Sequence, residues 1–480
     1  MYTVAFSAIE IVFYKSFRIF TWDLGIFNQA FWNTLNGRFL YYTSEPFYTR
    51  TGCFLGAHFS PAILVVLPLY AIFQTPETLL VISTFVVAIG AIPAYETSNF
   101  LLNNEKTATM LGIFYLLYPP LQGVTLSGFS PEPFAVTLFL FIAYYLIKAD
   151  FWKLGLVVPL GLMTHEASVP VIAFIAVYGM LYHTPKRRNG FLASAVIVVT
   201  CIPYFFLAQN MRVLFGWTGS PSLWNEWKLL GATSSAAVPF RIFLNPTGAL
   251  ASLMFDGASK LIYLIMLLLP VLFLPIFSVK AMTPAIPYLL ISLFSSYPLY
   301  YSLEGHYPAF VVPFIFISFI QGIGWIRRKR YPSLPVQKLI KIAISVALIL
   351  LIVLLSLSFL KFEIASISER HNAIIHDMIS NIPQNGSVLT QSNIFPHLSN
   401  RPDAYTIPPP SWGEAYEQIG KQMLRDLNTQ GVNYVLVDFN SEPIYASAAK
   451  LIFFDFIVPN ADVYVLVDED DGILLYKANL

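Results

Sequence analysis

Eleven apolar runs fill the first three quarters of this chain, and they constrain its fold more than anything else in the sequence. They lie at about 2–20, 77–102, 107–125, 133–148, 154–165, 167–182, 190–209, 258–278, 282–299, 308–325 and 338–360. A helix crossing a bilayer needs about 20 mostly apolar residues, so the pattern predicts a mainly α polytopic membrane protein with about 11 transmembrane helices. The fifth and sixth runs are short and fit broken helices. Composition agrees: 56% of residues are hydrophobic, 11% are charged, and the mean hydropathy is +0.64. Soluble domains carry roughly 25% charged residues, which excludes a soluble protein.

Charge divides the chain in two. Up to Leu360 there are 21 basic and 12 acidic residues, and beyond it 7 basic and 15 acidic. This predicts a membrane domain over 1–360 and a separate domain over 361–480. Basic clusters at Lys186/Arg187/Arg188 and at Arg327 to Arg330, with Lys338 and Lys341, belong on the cytoplasmic side. Both clusters fit one topology in the cell membrane, with the amino terminus inside and the tail outside. Glu10 lies within the first run and no small-residue cleavage site follows it, so that run reads as a retained anchor. Loop 21–76, the turns near 126–132 and 164–168, loop 210–257 and the turn 300–307 then face out. The stretch from His58 to Phe73 holds Pro61 and Pro68, and is expected as a juxtamembrane helix at the outer interface.

The tail alternates helical and strand patterns: helices near 363–381 and 413–429, strands at Val388 to Thr390 and Tyr434 to Val437, and a closing hairpin around Asp468 to Gly472. That predicts an extracytoplasmic α/β domain. No Gly-rich loop joins its strands to its helices. Asn385-Gly386-Ser387 fits a glycosylation sequon but is more simply a turn. Cys53 and Cys201 are the only cysteines, which argues against a disulfide framework. P-loop, Rossmann, nucleophile-elbow and DNA-binding motifs are missing from the sequence, so nucleic acid is not an expected partner.

Charge beside a bilayer is costly, so each acid in so sparse a chain needs its own reason. The topology sends Asp23, Glu45, Glu132, Glu166, Glu226, Asp256 and Glu304 to one face, with His58, His165 and His306. Each has a plain structural alternative. Asp23 can cap an interfacial amphipathic helix, and His58 can cap or hydrogen-bond. Glu132, in Ser130-Pro131-Glu132-Pro133, can favour a helix dipole. Glu304-Gly305-His306-Tyr307 can be an exposed turn within an aromatic belt. The adjacent pair His165-Glu166 is hardest to explain by solubility. The histidines and carboxylates leave a divalent cation open, although no H-E-x-x-H or C-x-x-C spacing occurs; His371 and His376 are five apart and share no helix face.

Asp23-Leu24-Gly25-Ile26-Phe27-Asn28-Gln29, His58-Phe59-Ser60-Pro61 and Pro131-Glu132 together resemble a family of uncharacterised prokaryotic polytopic membrane proteins. The wider layout is similar to the GT-C membrane glycosyltransferases, which include protein mannosyltransferases and the aminoarabinose transferase of lipid A. It comprises an acid in the first outer loop, an interfacial helix, a second acid before the fourth span and a polar pair between two short spans. Many relatives carry two acids together in the first loop, where Asp23 here stands alone before Leu24, and this chain has His165-Glu166 where transferases often show lysine. The resemblance implies sugar transfer outside the membrane from a polyprenyl-phosphate donor to a glycan, lipid or protein acceptor. In that reading Asp23 is the catalytic base and Glu132 and Glu166 orient the reacting groups. His58, His165, Arg241, His306 and Tyr307 bind substrate or its phosphate. The rivals are a transporter, which needs acids at mid-membrane, and a scaffold displaying the tail, in which the outer polar groups lie apart.

Overall fold

The computed structural model describes residues 1–182, 187–219, 226–329, 335–364 and 369–479. Lys186 and Arg330, used above to orient the chain, lie outside them. All eleven apolar runs are helical over most of their length. Among the described residues four helices are long and apolar enough to cross a membrane by themselves: Pro76–Leu102, Arg188–Leu214, Leu274–Leu293 and Val336–Ser356. A fifth crossing is counted if Pro246–Met254 and Gly257–Leu268, bent by 73°, form one broken span. The others are shorter, such as Phe151–Leu162 and Ser168–Leu181, or carry terminal charge, such as Val312–Lys329 with Arg327, Arg328 and Lys329 in its last turn.

Packing separates a core from a lipid-type surface. Helix Val312–Lys329 is apolar on all sides and is buried continuously from Val312 to Ile320, as a central helix must be. Phe314, Phe316 and Phe319 meet Phe114 and Phe139 there. Gly322 lets the helix touch its neighbour, since a Cβ at that position would lie 2.3 Å from the Leu274 carbonyl oxygen. Helix Arg187–Leu214 leaves Val196, Val199, Ile202 and Phe206 exposed, an apolar face suited to hydrocarbon.

Several boundaries differ from the sequence reading. The run 107–125 is two helices, Glu105–Leu117 and Pro119–Thr125, because Pro119 forces Tyr118 out of the helical region. The runs 258–278 and 282–299 divide earlier than expected, at the left-handed pair Leu272 and Phe273, and the second helix begins at Leu274. The stretch from His58 is not one interfacial helix: Pro61 and Pro68 split it into a 3-10 turn, Pro61–Val65, and a single turn, Leu67–Tyr70. The helix after Asp23, Ile26–Leu35, is not a half-exposed interfacial helix either, since Ile26 to Phe31 and Asn33 are all buried.

The tail carries a five-stranded sheet, β1 (Val388–Thr390), β2 (Ala404–Tyr405), β3 (Tyr434–Asp438), β4 (Tyr464–Asp470) and β5 (Ile473–Ala478), in the order β2-β1-β3-β5-β4. β1 pairs in parallel with β2 and β3, and β5 pairs antiparallel with β3 and β4. Helices Glu369–Ser380, Glu414–Gln430 and Pro443–Ile452 accompany it. His371 ties the first helix to the sheet, with its ring nitrogens 2.8 Å from an Asp471 carboxylate oxygen and 3.0 Å from one of Asp438. The loop 391–404 reaches back to the start of the chain, where Thr21 Oγ1 donates to the Ser392 carbonyl at 3.0 Å and Asn28 Nδ2 to Ser399 Oγ at 2.6 Å.

Candidate functional site

Six side chains singled out in the sequence meet at one end of the bundle, carried by separate segments. Asp23 comes from a π-turn, Thr21–Gly25, directly after the first helix. The cap positions of that turn and of helix Ile26–Leu35 are Phe20 and Gly25, so Asp23 lies within the first turn and is the cap residue of neither. Glu132 is the first residue of helix Glu132–Lys148. His165 and Glu166 occupy the turn between the two short helices, and His58 and His306 lie in loops. All retain some accessibility, from 7% of the side chain at Glu132 to 47% at His58, which is the most open.

The contacts run in one line. Glu166 Oε1 lies 3.0 Å from His58 Nδ1 and 3.8 Å from Arg212 Nη1, and its Oε2 accepts the Phe59 backbone N–H at 3.1 Å. The His58 and His165 rings are 4.9 Å apart. His165 Nε2 is 3.9 Å from Glu132 Oε1, and the same oxygen is 3.9 Å from His306 Nε2. His306 Nδ1 then pairs with Asp23 Oδ1 at 3.3 Å. The contacts therefore run from Arg212 through a cluster of Glu166, His58 and His165 to Glu132, His306 and Asp23.

Hydrogen bonds fix what each group offers. The Ala167 backbone N–H donates to His165 Nδ1 at 3.0 Å, so that nitrogen is an acceptor and the proton sits on Nε2. The 3.5 Å approach of His165 Nδ1 to Glu166 Oε2 is thus a contact between two acceptors. Burial, with His58 and His306 adding repulsion, lowers the His165 pKa despite Glu166 and Glu132, which suits a neutral Nε2–H donor. His306 behaves oppositely. Burial opposes its charge, but the Glu132 and Asp23 carboxylates lift its pKa to about 9, making it an imidazolium. His58 is also raised, by Glu166 acting against desolvation. Glu166 is held well below the usual carboxylate range: burial is outweighed by the surrounding groups, among them the His58 ring that bonds to it and the Arg212 guanidinium. Burial raises Glu45, whose carboxylate accepts the Tyr42 hydroxyl at 3.0 Å.

His58, His165 and Glu166 are the grouping among the described residues with metal-type ligand atoms, all within 4.8 Å of one another. The donor set does not fit a cation. His165 has no lone pair free, Glu166 already accepts from His58 and Phe59, and Arg212 adds positive charge beside it. Ligation by a neutral imidazole needs an unprotonated nitrogen facing the ion. The arrangement presents hydrogen-bond donors backed by carboxylates, which suits an anion.

The Tyr307 ring lies 4.4 Å from that of His306 at a tilt and meets Tyr300 edge-on at 4.7 Å, at the edge of the line. Arg241 is elsewhere. It is exposed on the short helix Val238–Leu244, among Phe240, Phe243 and Leu244, which are 70%, 82% and 76% exposed, and no side-chain contact among the described residues joins it to the line. Arg212 takes the cationic place instead, stacked 4.6 Å over Trp217. The sequence signal for it was a lone arginine at the outer end of the seventh run. Of the other outer acids, Glu304 is exposed, Asp256 accepts from Ser259 at 2.7 Å, and Glu226 is buried, its carbonyl accepting from Ser296.

The profile of a family described as predicted membrane protein, DUF2079, matches residues 14–475. No curated protein matches the sequence. Among solved structures, the chain is similar to ArnT from Cupriavidus metallidurans bound to undecaprenyl phosphate, with 10% identity and a TM-score of 0.51, covering 98% of this chain and 97% of that one. It is also similar to the arabinofuranosyltransferase AftD from Mycobacteria, at 13% identity and a TM-score of 0.49, over 99% of this chain and 41% of that one. The Archaeoglobus fulgidus oligosaccharyltransferase complex with Zn and sulfate follows at 11% identity and a TM-score of 0.43, over 94% and 70%. These neighbours are GT-C glycosyltransferases.

Proposed function

The chain belongs to the DUF2079 family of predicted membrane proteins and has glycosyltransferases of the GT-C class as its structural neighbours, and from that premise we propose that it transfers a sugar from a polyprenyl-phosphate donor to an acceptor at the outer face of the membrane. The observation that carries this reading is the line of groups from Arg212 to Asp23, with cationic and N–H donors at one end and a carboxylate at the other. A glycosyl transfer with a phosphate leaving group needs those two ends. The acceptor hydroxyl oxygen attacks the anomeric carbon, and Asp23 takes its proton. The bond from that carbon to the phosphate oxygen breaks, and the lipid phosphate departs with the electron pair. Arg212, His58 and His165 stabilise the charge it gains. Glu166 holds His58 and Arg212 in place. The line at one end of the bundle also supports this reading over a scaffold, which requires the polar groups to lie apart. It supports it over a transporter as well: Glu10, a buried acid in the first helix, is taken up by Thr84 and the Gly128 N–H at 3.0 and 3.1 Å.

In this reading eleven crossings place the amino terminus in the cytoplasm and the tail outside, and no metal is required. The test is transfer by the purified chain with undecaprenyl-phosphate sugars and a panel of acceptors. Asp23→Asn is expected to lower the rate by about 10²–10⁴, the range for loss of a general base, and to leave lipid binding intact. Arg212→Ala is expected to weaken binding of undecaprenyl phosphate itself. Full activity of Asp23→Asn overturns the base assignment, and absence of lipid binding by the wild type overturns the function.

A further inference from the structure

Glu132 sits at the middle of the line, and its surroundings are incomplete in a specific way. It is 5% exposed, yet its Oε2 makes no well-formed hydrogen bond among the described residues; the Ser130 side chain, whose Oγ likewise makes none, interacts with the carboxylate. Its Oε1 faces two ring nitrogens, His165 Nε2 and His306 Nε2, each at 3.9 Å. Both nitrogens carry protons, for the reasons given above, and both are fixed from behind, His165 by the Ala167 N–H and His306 by Asp23. At 3.9 Å neither reaches the carboxylate, because an N–H···O bond spans about 2.7–3.2 Å. A buried carboxylate left short of partners is costly. An oxygen about 2.8 Å from both atoms of either pair sits beside it, about 2 Å to the side of the connecting line. A hydroxyl in such a gap accepts from the histidine N–H and donates to Glu132. The two gaps share one carboxylate, so they suit two hydroxyls on neighbouring carbons.

Position says whose hydroxyls these are. The phosphate donors, Arg212 and His58, lie on one side of Glu132, and Asp23 lies on the other, beyond His306. In an inverting displacement the leaving phosphate and the attacking hydroxyl approach the anomeric carbon from opposite faces. The transferred ring then occupies the space between the two ends of the line, alongside Glu132. We propose that Glu132, His165 and His306 form the subsite for two adjacent ring hydroxyls of the sugar being transferred, so that this trio sets donor specificity while Arg212 and His58 hold the lipid phosphate. This rests on the lipid-linked donor reading above.

The test compares binding of bare undecaprenyl phosphate with undecaprenyl-phosphate mannose, glucose and arabinose, using the full-length chain in detergent without acceptor. Hydrogen bonds to a charged group are worth about 1.5–3 kcal/mol, so at least one sugar lipid is expected to bind about 10- to 100-fold more tightly than the bare lipid. Glu132→Leu is expected to erase that increment and leave bare-lipid affinity unchanged. Glu132→Gln, which keeps the shape, serves the same comparison where the leucine variant does not fold. A donor lacking both adjacent hydroxyls is expected to bind wild type and Glu132→Leu alike, and one lacking a single hydroxyl to keep only part of the increment. An increment that survives both substitutions overturns the proposal, as does a variant whose bare-lipid affinity falls in step. If no sugar lipid gains over the bare lipid, but Glu132→Gln raises KM for the acceptor, the hydroxyls belong to the acceptor and the proposal falls. Loss of bare-lipid binding in the wild type instead removes the donor reading beneath it.

Discussion

Two carboxylates within reach of one imidazole set the charge of His306, and that charge has a pH signature. Its pKa is lifted from 6.5 to about 9 by Glu132 and Asp23, against the cost of burial. The folded protein therefore binds a proton that the unfolded chain releases near 6.5. The stabilisation is fully present below about pH 6.5, is lost progressively as pH rises to about 9, and is gone above that. The imidazolium also faces the proposed sugar subsite, so the gain in affinity of a sugar lipid over bare undecaprenyl phosphate is expected to shrink across the same alkaline range. Titrating affinity against pH in wild type and in His306→Gln checks this; an alkaline limb that persists unchanged in the variant assigns it to another group. At this scale the sequence was informative where polar residues interrupted or bordered an apolar run, as at His165 and Glu166 and at Glu132. It was silent on Arg212, because an arginine at the end of a span has a ready explanation in snorkelling. It was misleading on Arg241, which lies among exposed aromatic residues on a peripheral helix.

Elements place these side chains, and one of them is fixed by an acid that touches no proposed substrate. Glu10, in the first helix, accepts the Gly128 backbone N–H at 3.1 Å and the Thr84 hydroxyl at 3.0 Å. Gly128 has a left-handed φ of +84° and a Cβ there would lie 3.5 Å from Asp23 Cβ, so the turn leading to Glu132 packs directly on the Asp23 segment. Glu10→Leu leaves a buried N–H without its acceptor, a cost of about 1–3 kcal/mol. The expected result is a lower thermal midpoint in detergent together with slower transfer; unchanged values for both remove Glu10 from the support of the site. Apolar runs long enough to be helices were legible, as were β1, β3 and the hairpin of β4 and β5, because period and turn chemistry are local. The breaks were not. Leu272 and Phe273 adopt left-handed backbone with no glycine to announce it, and helix Pro443–Ile452 and strand Ala404–Tyr405 were missed because their apolar content is shared among tertiary contacts.

The tail and the membrane part are joined through buried polar and aromatic contacts, and this bears on whether the tail is a passive appendage. Phe17, 1% exposed, sits at the end of the first helix beneath two tail histidines. His376 Nε2 donates to the Lys15 carbonyl at 3.0 Å, and His397 Nε2 to the Tyr14 carbonyl at 2.9 Å while stacking on the Tyr14 ring. Gln29 Nε2 reaches the Ala404 carbonyl at 3.1 Å, and Trp22, next to Asp23, meets Trp412. The buried character of helix Ile26–Leu35, unexpected from its sequence, follows from this docking, since its Asn28 and Gln29 face the tail and not water. His397 makes the docking sensitive to acid. Burial, and then the neighbouring His376, lower its pKa to about 3, so below about pH 6.5 the unfolded chain takes up a proton that the docked ring refuses. Stability from this contact is thus lost as pH falls from about 6.5 towards 3, the opposite sense to His306. Thermal midpoints measured across that range are expected to drop in the wild type and to drop less in His397→Phe, which keeps the stack on Tyr14. Deleting residues 369–480 is expected to lower the midpoint at neutral pH and to open the segment 21–43 to protease. A truncated chain with an unchanged midpoint and a protected first loop would show that the membrane part holds Asp23 in place unaided.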